Sequence, residues 1–512
     1  MKKNERKAPA DLIILMLLAL GAAIFMLVMT APFGLRITTD SVFYFQAARS
    51  FGLGDGFVTY GKQALAEPMI QYPPLYPMLL SAGPFAGMDI PGWARCVQAF
   101  LFGLNIFLIS AFTLYLTRNV AVAAGAGVMG LICVQFVEIS AAALSEPLFF
   151  VFMVTSFWSL THYFEQGRSR FLYLAAVSAC ACYMTRHAGL PVALTGIVAL
   201  ALWSRGAPGK KIFDVGRYTV IALSVPALWV MRNILLSGQP TALDQGFMLS
   251  AMTDMGRSFD VLSEYIFPAM IHPLMRTIAF VLLSTGIILM LRAWRFKEAA
   301  VSQRMLTAGR IAAVFAIIYF TGTAILMVLS MGAVKVDTRI LLPLPVVAIP
   351  FLAVFLNAVL KDRWRKAGLV LAALLLVTMA LRTGQLTCRL YSQGAGYAGA
   401  AWVQRGLVRT VKTLSDKTIV YSNDPAAFYF YTGRPAILIP QRGAYDPHQF
   451  SPERVGADFS RRGAVAVIFE AGIFAPLPVW WQIVRRAPLT AVYRDGWGVL
   501  YMLANKTSGG AR

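Results

Sequence analysis

Long apolar stretches recur along the first three quarters of the chain, separated by short polar segments. The first runs from Leu12 to Met29, and a stretch of about 18 or more residues lets a helix cross a hydrocarbon core of about 30 Å. The pattern therefore predicts an α-helical polytopic membrane protein. We place eleven spans at residues 11–31, 95–116, 119–138, 146–164, 171–186, 188–203, 214–236, 273–291, 310–331, 340–359 and 367–386.

The composition supports the same fold class. The chain has 512 residues, of which 58% are hydrophobic and 14% are charged, and its mean hydropathy is +0.64. A soluble protein of this length could not bury that much apolar surface. The net charge of +22 does not indicate a nucleic-acid partner, because the basic residues lie in short loops between apolar stretches, where they orient membrane helices.

Lysine and arginine concentrate in every second loop, and the positive-inside rule places those loops and the N-terminus in the cytoplasm. The remaining short loops hold little beyond Arg186, Lys335 and Arg339. In a bacterium, we expect a multi-pass protein of the inner membrane. The outward-facing segments are then 32–94, the turns at 138–146 and 186–188, 237–272, 332–339 and everything after about residue 387.

The two ends of the chain differ in character. The N-terminal MKKNERK before an apolar stretch resembles a signal peptide, but no convincing cleavage site follows, so a retained first span is predicted. Near the C-terminal end, KTIVYS and AVAVIFE predict strands, NDPAAFYFYTG a turn and short helix, and TAVYRDGWGVLYML a hairpin. We therefore predict a transmembrane domain at 1–386, with a large first outer loop at 32–94, and a periplasmic α/β domain at 387–512.

Several ionisable or aromatic residues are predicted on the outward-facing side, although they come from segments far apart in sequence. Ionisable groups at membrane depth are costly, so those that are retained often line a site. The candidates are Asp40, Lys62, Glu67, Tyr72, Glu146, Arg186, His187 and Arg339.

The two acids that lie nearest to spans could have purely structural roles. Asp40 follows two threonines and could cap an interfacial amphipathic helix that begins SVFYFQAARSF. Glu146 lies in Ser-Glu-Pro, a good helix start with Ser145 as the cap.

Structural roles are also open for the remaining candidates. Arg186 and Arg339 could extend their side chains to the membrane surface. His187 could pack at the interface, and Tyr72 could belong to a rigid turn in YPPLYP. In the polar part of the first outer loop, solvation is the default for Lys62 and Glu67.

Two acids and two arginines on one side at one depth suit a group transfer. An acid can take a proton from a hydroxyl nucleophile. An arginine can hold a phosphate through two parallel hydrogen bonds, which suits a phosphate leaving group. Close to a bilayer, such a phosphate would belong to a lipid.

The chain resembles the GT-C superfamily of integral-membrane glycosyltransferases, in the branch related to protein O-mannosyltransferases and the lipid A aminoarabinose transferase. The likeness rests on TTDSVFYFQAARSF after the first span, YPPLYPMLL in the first outer loop, LSEPLFF at the fourth span, and TRHAGL followed later by VDTRILLPLP. The segment IVYSNDPAAFYFYTGRPAILIP also looks like the extracytoplasmic domain of bacterial members. The resemblance covers essentially the whole chain.

This resemblance implies that residues 1–386 form a catalytic domain, which moves a sugar from a polyprenyl-phosphate donor to an acceptor hydroxyl at the outer face of the membrane, with inversion. Asp40 would match the first-loop acid of the family, the general base. Glu146 would position the acceptor or assist Asp40. The candidates for binding the donor or its lipid phosphate are Arg186, Arg339, Lys62, Tyr72 and His187.

One position departs from the family pattern. Many relatives carry a second acid directly after the first, and here that position is Ser41. Since divalent cations prefer several carboxylate oxygens, no obligatory metal is predicted, and Glu67 stays open as an acceptor-binding or metal-binding residue. The expected partners are a polyprenyl-phosphate sugar donor, membrane lipids and a glycan, lipid or protein acceptor, but no nucleic acid.

Two further classes of protein stay open. A transporter or lipid flippase is also polytopic, but it usually places ionisable groups near mid-membrane, often with inverted repeats and broken helices. A non-catalytic scaffold, whose periplasmic domain binds a partner, would leave the outward-facing acids and arginines without a function.

Overall fold

A computed structural model describes residues 8–204, 206–241, 263–264, 272, 275–276, 302–329, 337–359, 365–439, 452–469 and 489–503. The chain divides into two compact units. Unit 1 comprises residues 1–31, 70–76 and 94–391, and unit 2 comprises residues 32–69, 77–93 and 392–512. Unit 2 thus takes in most of the predicted first outer loop, while the predicted domain boundary after residue 386 stays a prediction.

Helices dominate the described part of the chain. In chain order they are α1 (Ala8–Met29), α2 (Thr39–Gly52), α3 (Leu75–Leu80), α4 (Ile90–Thr117), α5 (Val120–Leu131), α6 (Val134–Ser140), α7 (Glu146–Gln166), α8 (Ser169–Thr185), α9 (Leu190–Trp203), α10 (Pro208–Ser237), α11 (Gln303–Leu329), α12 (Thr338–Leu341), α13 (Pro343–Val359), α14 (Arg365–Gln393), α15 (Ala400–Val403), α16 (Gly406–Lys412), α17 (Pro425–Thr432) and α18 (Pro452–Arg462). Short 3₁₀ helices cover Pro84–Ala86 and His187–Gly189.

The helices of unit 1 pack against one another along their lengths. α7 packs against α8, α8 against α10, and α9 against α11. Asn119 starts α5 by accepting hydrogen bonds from the backbone N–H groups of Ala121 and Val122, at 3.0 and 3.3 Å. Arg95 of α4 donates to the carbonyl of Leu27 at 2.6 Å, which satisfies an orphan acceptor at the end of α1.

Six helices of the described residues are long and apolar enough to cross a membrane, or seven if the bent pair α5 and α6 forms one span. This pair bends by 64°. α13 and α9 with its preceding 3₁₀ turn are shorter apolar helices. Ten predicted spans coincide with helices or helix pairs, whereas the predicted span 273–291 lies outside the described residues except at 275–276, so the total of eleven stays a prediction.

The described strands all belong to unit 2. β1 (Val58–Tyr60) and β2 (Ala66–Pro68) form an antiparallel hairpin. A five-stranded sheet has the order β4-β3-β5-β7-β6. Its strands are β3 (Val420–Ser422), β4 (Ile437–Leu438), β5 (Val465–Phe469), β6 (Leu489–Asp495) and β7 (Gly498–Leu503). β3 runs parallel to β4 and β5, whereas β7 runs antiparallel to β5 and β6.

A buried core supports this sheet. All five residues of β5, VAVIF, are buried, as expected for a central strand covered on both faces. Tyr421 of β3 stacks on Phe459 of α18 with ring centroids 5.5 Å apart, and its hydroxyl donates to Asp458 at 2.7 Å. The predicted fold class, a helical membrane protein with a small C-terminal α/β region, is therefore confirmed.

Candidate active site

Glu146 is the first residue of α7 and is buried, with 2% of its surface exposed. Pro147 follows it in the first helical turn, where a missing backbone N–H costs nothing. Ser145 occupies the N-cap position of this helix, as predicted, but its side chain makes no capping hydrogen bond. The Ser145 hydroxyl instead accepts a hydrogen bond from Arg186 Nη1 at 3.2 Å.

Two arginines converge on Glu146 from separate elements of unit 1. Arg186 follows α8 in an extended conformation, and its Nη1 lies 2.7 Å from Glu146 Oε1. Arg339 lies in α12, a short helix that Asp337 caps by accepting from the N–H of Ile340 at 2.9 Å. Arg339 Nε donates to the same oxygen, Glu146 Oε1. The side chains of Arg186 and Arg339 keep 22% and 23% of their surface exposed, so both guanidinium groups remain accessible.

Among the side chains of Glu146, Arg186 and Arg339, the formal charges do not cancel. Two guanidinium groups face one carboxylate, and the positive end of the α7 dipole adds to them. The second carboxylate oxygen, Glu146 Oε2, is buried and has no hydrogen-bond partner among the described residues. We conclude that the cluster of Glu146, Arg186 and Arg339, called the arginine cluster below, carries net positive charge and can bind an anion.

Two buried amides of α4 hold the backbone on both sides of Glu146. Gln98 Nε2 lies within hydrogen-bonding distance of the carbonyls of Ala142 and Leu144, at 2.8 and 2.5 Å. Asn105 Nδ2 donates to the carbonyl of Pro147 at 2.8 Å. Because Gln98 and Asn105 lie two helical turns apart on one face of α4, they fix the start of α7 from a rigid element.

His187 and Tyr72 also lie in unit 1. His187 Nε2 is 3.3 Å from the hydroxyl of Thr241, which in turn donates to the carbonyl of Ile70 at 3.2 Å. Tyr72 is half-buried two residues further along that segment. These contacts link the turn after α8 to the segment that contains Tyr72, while donor binding by either side chain stays a prediction.

Asp40 lies in unit 2 as the second residue of α2. The prediction that Asp40 caps this helix is wrong. Thr38 is the cap, and together with Ser41 it forms a capping box in which each side chain bonds the backbone N–H of its partner residue. The departure at Ser41 from the family pattern therefore has a structural role here. The carboxylate of Asp40 lies in the first turn, where the helix dipole favours a negative charge.

The start of α2 is held by the C-terminal part of unit 2. The hydroxyl of Tyr397 lies 3.2 Å from the Thr39 hydroxyl and 2.9 Å from each oxygen of Asp424. The backbone N–H of Tyr397 donates to the carbonyl of Ile37 at 2.9 Å. Tyr431 donates to the Tyr397 carbonyl, and burial raises the pKa of Tyr431, which keeps this hydroxyl protonated.

Lys62 and Glu67 lie in the β1–β2 region of unit 2, and both are exposed. Glu67 pairs with Thr59 in the hairpin, and its carboxylate lies over Gly61, where an added Cβ would collide with it. The carbonyl of Lys62 accepts from the N–H of Leu438 at 2.8 Å. These contacts fix the hairpin, and the predicted roles of Lys62 and Glu67 in binding stay predictions.

No group of three or more histidine, cysteine, aspartate or glutamate side chains in the described part of the chain could hold a metal ion. The expectation that the protein needs no obligatory metal stays a prediction.

Sequence reasoning did not find Gln98, Asn105, Tyr397 or Asp424. For the two amides a signal was present, since each is a polar residue inside a predicted span, where polar groups usually have a function or a partner. Asp424 was predicted only as part of a turn before a helix, which is correct, because it caps α17 by accepting from the N–H of Ala427 at 3.0 Å. Its bond to Tyr397 joins residues 27 positions apart and has no local signal.

Neither the models of known protein families nor the sequences of curated proteins contain a match to this chain. Several solved structures, however, are similar to this chain. ArnT from Cupriavidus metallidurans in the apo state aligns over 96% of this chain and 98% of its own, with a TM-score of 0.60 and 12% identity. ArnT from the same organism bound to undecaprenyl phosphate aligns over 96% and 97%, with a TM-score of 0.55 and 12% identity.

A third similar structure is the archaeal oligosaccharyltransferase AglB from Archaeoglobus fulgidus, in complex with an inhibitory peptide and a dolichol-phosphate. It aligns over 90% of this chain and 70% of its own, with a TM-score of 0.52 and 11% identity. At these identities, the likeness shows the fold. The chain therefore has the fold of the GT-C integral-membrane glycosyltransferases, as the sequence motifs predicted.

Proposed function

We propose that the protein is a GT-C glycosyltransferase, which moves a sugar from a polyprenyl-phosphate donor to an acceptor hydroxyl at the outer face of the bacterial cytoplasmic membrane. The observation that carries this proposal is the arginine cluster. Arg186 and Arg339 come from distant segments, meet at one buried carboxylate and keep part of their surface accessible. The GT-C fold and the lipid phosphates bound by ArnT and AglB in their solved complexes support it.

The charge of the cluster suits the leaving group of this reaction. A sugar linked to polyprenyl phosphate is a phosphodiester, and breaking the bond between the anomeric carbon and oxygen leaves a phosphate monoester with one more negative charge. Arg186 and Arg339 would stabilise that charge as it develops, which lowers the barrier more than equal binding of donor and product would.

Asp40 is the proposed general base. It would accept the proton of the acceptor hydroxyl while the acceptor oxygen bonds to the anomeric carbon and the lipid phosphate departs, so a single displacement inverts the sugar. The capping box and the bonds of Tyr397 to Asp424 and Thr39 support this role, since they fix the helix that carries Asp40. Divalent metal is not required by this scheme.

Glu146 has a different role in the proposal. Its Oε1 contacts both arginines, so it holds their guanidinium groups in place before the donor binds. The resemblance to the family would instead have Glu146 position the acceptor or assist Asp40. The variant Glu146→Gln distinguishes these roles through the size of its effect on kcat and through the pH profile.

The test uses purified protein in lipid, supplied with a panel of polyprenyl-phosphate sugars and an envelope extract as a source of acceptors. We expect release of free polyprenyl phosphate with one donor, and loss of that release in Asp40→Asn at normal protein yield. Equal release by Asp40→Asn would show that Asp40 is not the base.

The transporter hypothesis keeps one structural argument, the 64° bend between α5 and α6, since transporters use broken helices. Movement of a lipid-linked sugar across sealed vesicles by wild type, with no polyprenyl phosphate released from any donor, would favour it.

A further inference from the structure

Unit 2 contains an apolar cavity of about 660 Å³ that the proposed reaction does not use. Its walls come from α2, from the segment around Pro84–Ala86 and from α17. Val42, Phe45 and Tyr429 form much of the apolar wall. A cavity of this size can hold a good part of a drug-sized or lipid-sized molecule.

The cavity lies on the face of α2 that points away from Asp40. At about 100° per residue, Val42, Phe45, Arg49 and Gly52 share one face of the helix, and Asp40 is roughly 120–200° away from each of them. The cavity is therefore separate from the proposed catalytic face of α2.

Chain connectivity puts the cavity at the level of the membrane surface. Ile90 and Pro91 line it, and they are the first two residues of α4, a candidate span of 28 residues. A helix of that length is about 42 Å long, whereas the hydrocarbon core is about 30 Å thick, so the ends of α4 reach the interface. Trp93, whose indole donates to the carbonyl of Leu79 at 2.9 Å, is a residue type that anchors spans at that depth.

The lining of the cavity combines exposed apolar side chains with one positive and one negative charge. Leu53 and Phe85 are 70% and 86% exposed, although both are large and apolar. Such side chains around one cavity mark a surface that meets an apolar partner. The lining also holds one cation, Arg49, and one anion, Asp89, so its formal charge is zero.

We propose that this cavity binds a zwitterionic aminophospholipid of the bilayer. One acyl chain fills the space between α2 and α17, the lipid phosphate contacts the guanidinium group of Arg49, and the primary ammonium contacts the carboxylate of Asp89. An arginine binds phosphate strongly, and a primary ammonium is a hydrogen-bond donor that a trimethylated one is not. The site is a lipid-binding site of unit 2, and it does not depend on sugar transfer.

The test uses purified full-length protein in nanodiscs that contain a trace of phosphatidylethanolamine with a photoreactive acyl chain. We expect cross-links to concentrate on residues 42–53, 84–91 and 429–433. Unlabelled phosphatidylethanolamine should compete at least about tenfold better than phosphatidylglycerol or phosphatidylcholine, because only it supplies both charges and the donor hydrogens.

Three variants sharpen this result. Gly52→Leu should fill the cavity and lower cross-linking several-fold, since a Cβ at Gly52 meets only Ser81 at an ordinary 3.8 Å and the backbone can accept it. Asp89→Asn keeps the hydrogen bond that Asp89 accepts from the Gly92 N–H and should abolish the preference over phosphatidylglycerol. Arg49→Gln should weaken the binding of all three lipids. Arg389 is an exposed arginine outside the cavity, so Arg389→Gln should leave lipid binding unchanged.

Two outcomes would overturn the proposal. Cross-links spread evenly over the membrane helices and unchanged by Gly52→Leu would mean that no lipid site exists here. Competition by a polyprenyl phosphate as strong as that by phosphatidylethanolamine would mean that the cavity takes the donor lipid.

Discussion

The two ends of helix α7 carry similar charged groups in different surroundings. At its first residue, the side chain of Glu146 is 3% exposed and contacts both Arg186 and Arg339. At the C-terminal end, Glu165 is 29% exposed and pairs with Arg304 at 2.6 Å, with the hydroxyl of Tyr115 as a second donor. A small cavity of about 200 Å³ adjoins Glu165 and Arg304. Each end of α7 thus has an acid paired with at least one arginine.

The carboxylate of Glu146 is buried and that of Glu165 is exposed, and this difference suggests a binding site at the first and a surface ion pair at the second. An exposed ion pair contributes about 0–1 kcal/mol, and Arg304 belongs to the basic residues that the positive-inside rule explains. A buried carboxylate is costly, and apolar residues of similar volume would often stabilise the protein as well or better. The arginine cluster is therefore weak as a stabilising device, which supports the proposed role in anion binding.

Among the variants that test this comparison, the largest effect is expected for Arg339→Gln. Loss of one of the two cations that face the leaving phosphate should lower the rate of transfer by about 100-fold or more, as loss of one transition-state donor does elsewhere. The measurement is the initial rate of polyprenyl phosphate release. The matched control is Arg304→Gln, the same substitution at the α11 arginine that pairs with Glu165 at the C-terminal end of α7. Equal losses of activity in the two variants would show that the two ends of α7 do not differ in function.

A second variant separates this effect from folding. Arg339→Gln leaves a buried carboxylate with one fewer partner, which lowers the Tm. In Arg339→Gln the charges of Glu146 and Arg186 still balance, and what is lost is one hydrogen-bond donor to a buried carboxylate. The double variant Glu146→Gln/Arg339→Gln removes that carboxylate. We expect its Tm to return towards wild type while its activity stays low, and recovery of both together would assign the arginine to stability alone.

Glu146→Gln should have an intermediate effect of about tenfold on kcat, because the arginines lose the carboxylate that orders them but keep their charge. The same variant should be inhibited more strongly by inorganic phosphate, since the cluster becomes more positive. Steady-state kinetics with a phosphate titration measures both quantities. If Glu146 were a base, the loss would be far larger and the pH profile of kcat would lose its acidic limb.

Gln98→Leu tests how firmly the start of α7 must be held. It removes the Gln98 amide as a donor to the carbonyls of Ala142 and Leu144, although the Ala142 carbonyl still accepts from the Leu144 N–H at 2.8 Å. Loss of the Gln98 bonds should cost about 1–3 kcal/mol in stability and reduce transfer a few-fold. Thr155→Val is the control on α7, because the hydroxyl of Thr155 donates to the carbonyl of Val151 in its own helix. A larger activity loss in the control than in Gln98→Leu would contradict a positioning role for Gln98.

The smallest effect is expected for Glu165→Gln. The exposed pair with Arg304 should contribute at most about 1 kcal/mol, so the Tm and the transfer rate should stay close to those of wild type. Thermal unfolding and the release assay measure both. A rate loss of tenfold or more would place a second functional group at this end of α7.

The arginine cluster could be anticipated from sequence in part. Charge distribution put Glu146, Arg186 and Arg339 on one side of the membrane at the ends of spans, and the structure brings these three side chains together. Both arginines contact one oxygen of Glu146, and the hydroxyl of Ser145 accepts from Arg186 and makes no capping bond at the start of α7. These contacts depend on side-chain geometry that no spacing encodes.

In unit 2, likewise, local elements could be predicted from sequence and long-range contacts could not. Strands β3 and β5, helix α17 and the β6–β7 hairpin were predicted, because each has a local pattern of apolar and turn residues. The inclusion of residues 32–69 and 77–93 in the same compact unit was not predicted. It depends on contacts such as that between Thr39 and Tyr397, which are 358 positions apart.

The most direct test of the central claim is the affinity of the arginine cluster for a lipid phosphate. We would measure the Kd of a short-chain polyprenyl phosphate for wild type, for Arg186→Gln/Arg339→Gln and for the matched control Arg304→Gln/Arg310→Gln. Two charge-assisted phosphate contacts predict a rise in Kd of at least about 100-fold for the first double variant and little change for the second. Equal Kd values for wild type and Arg186→Gln/Arg339→Gln, with both proteins folded, would contradict the account.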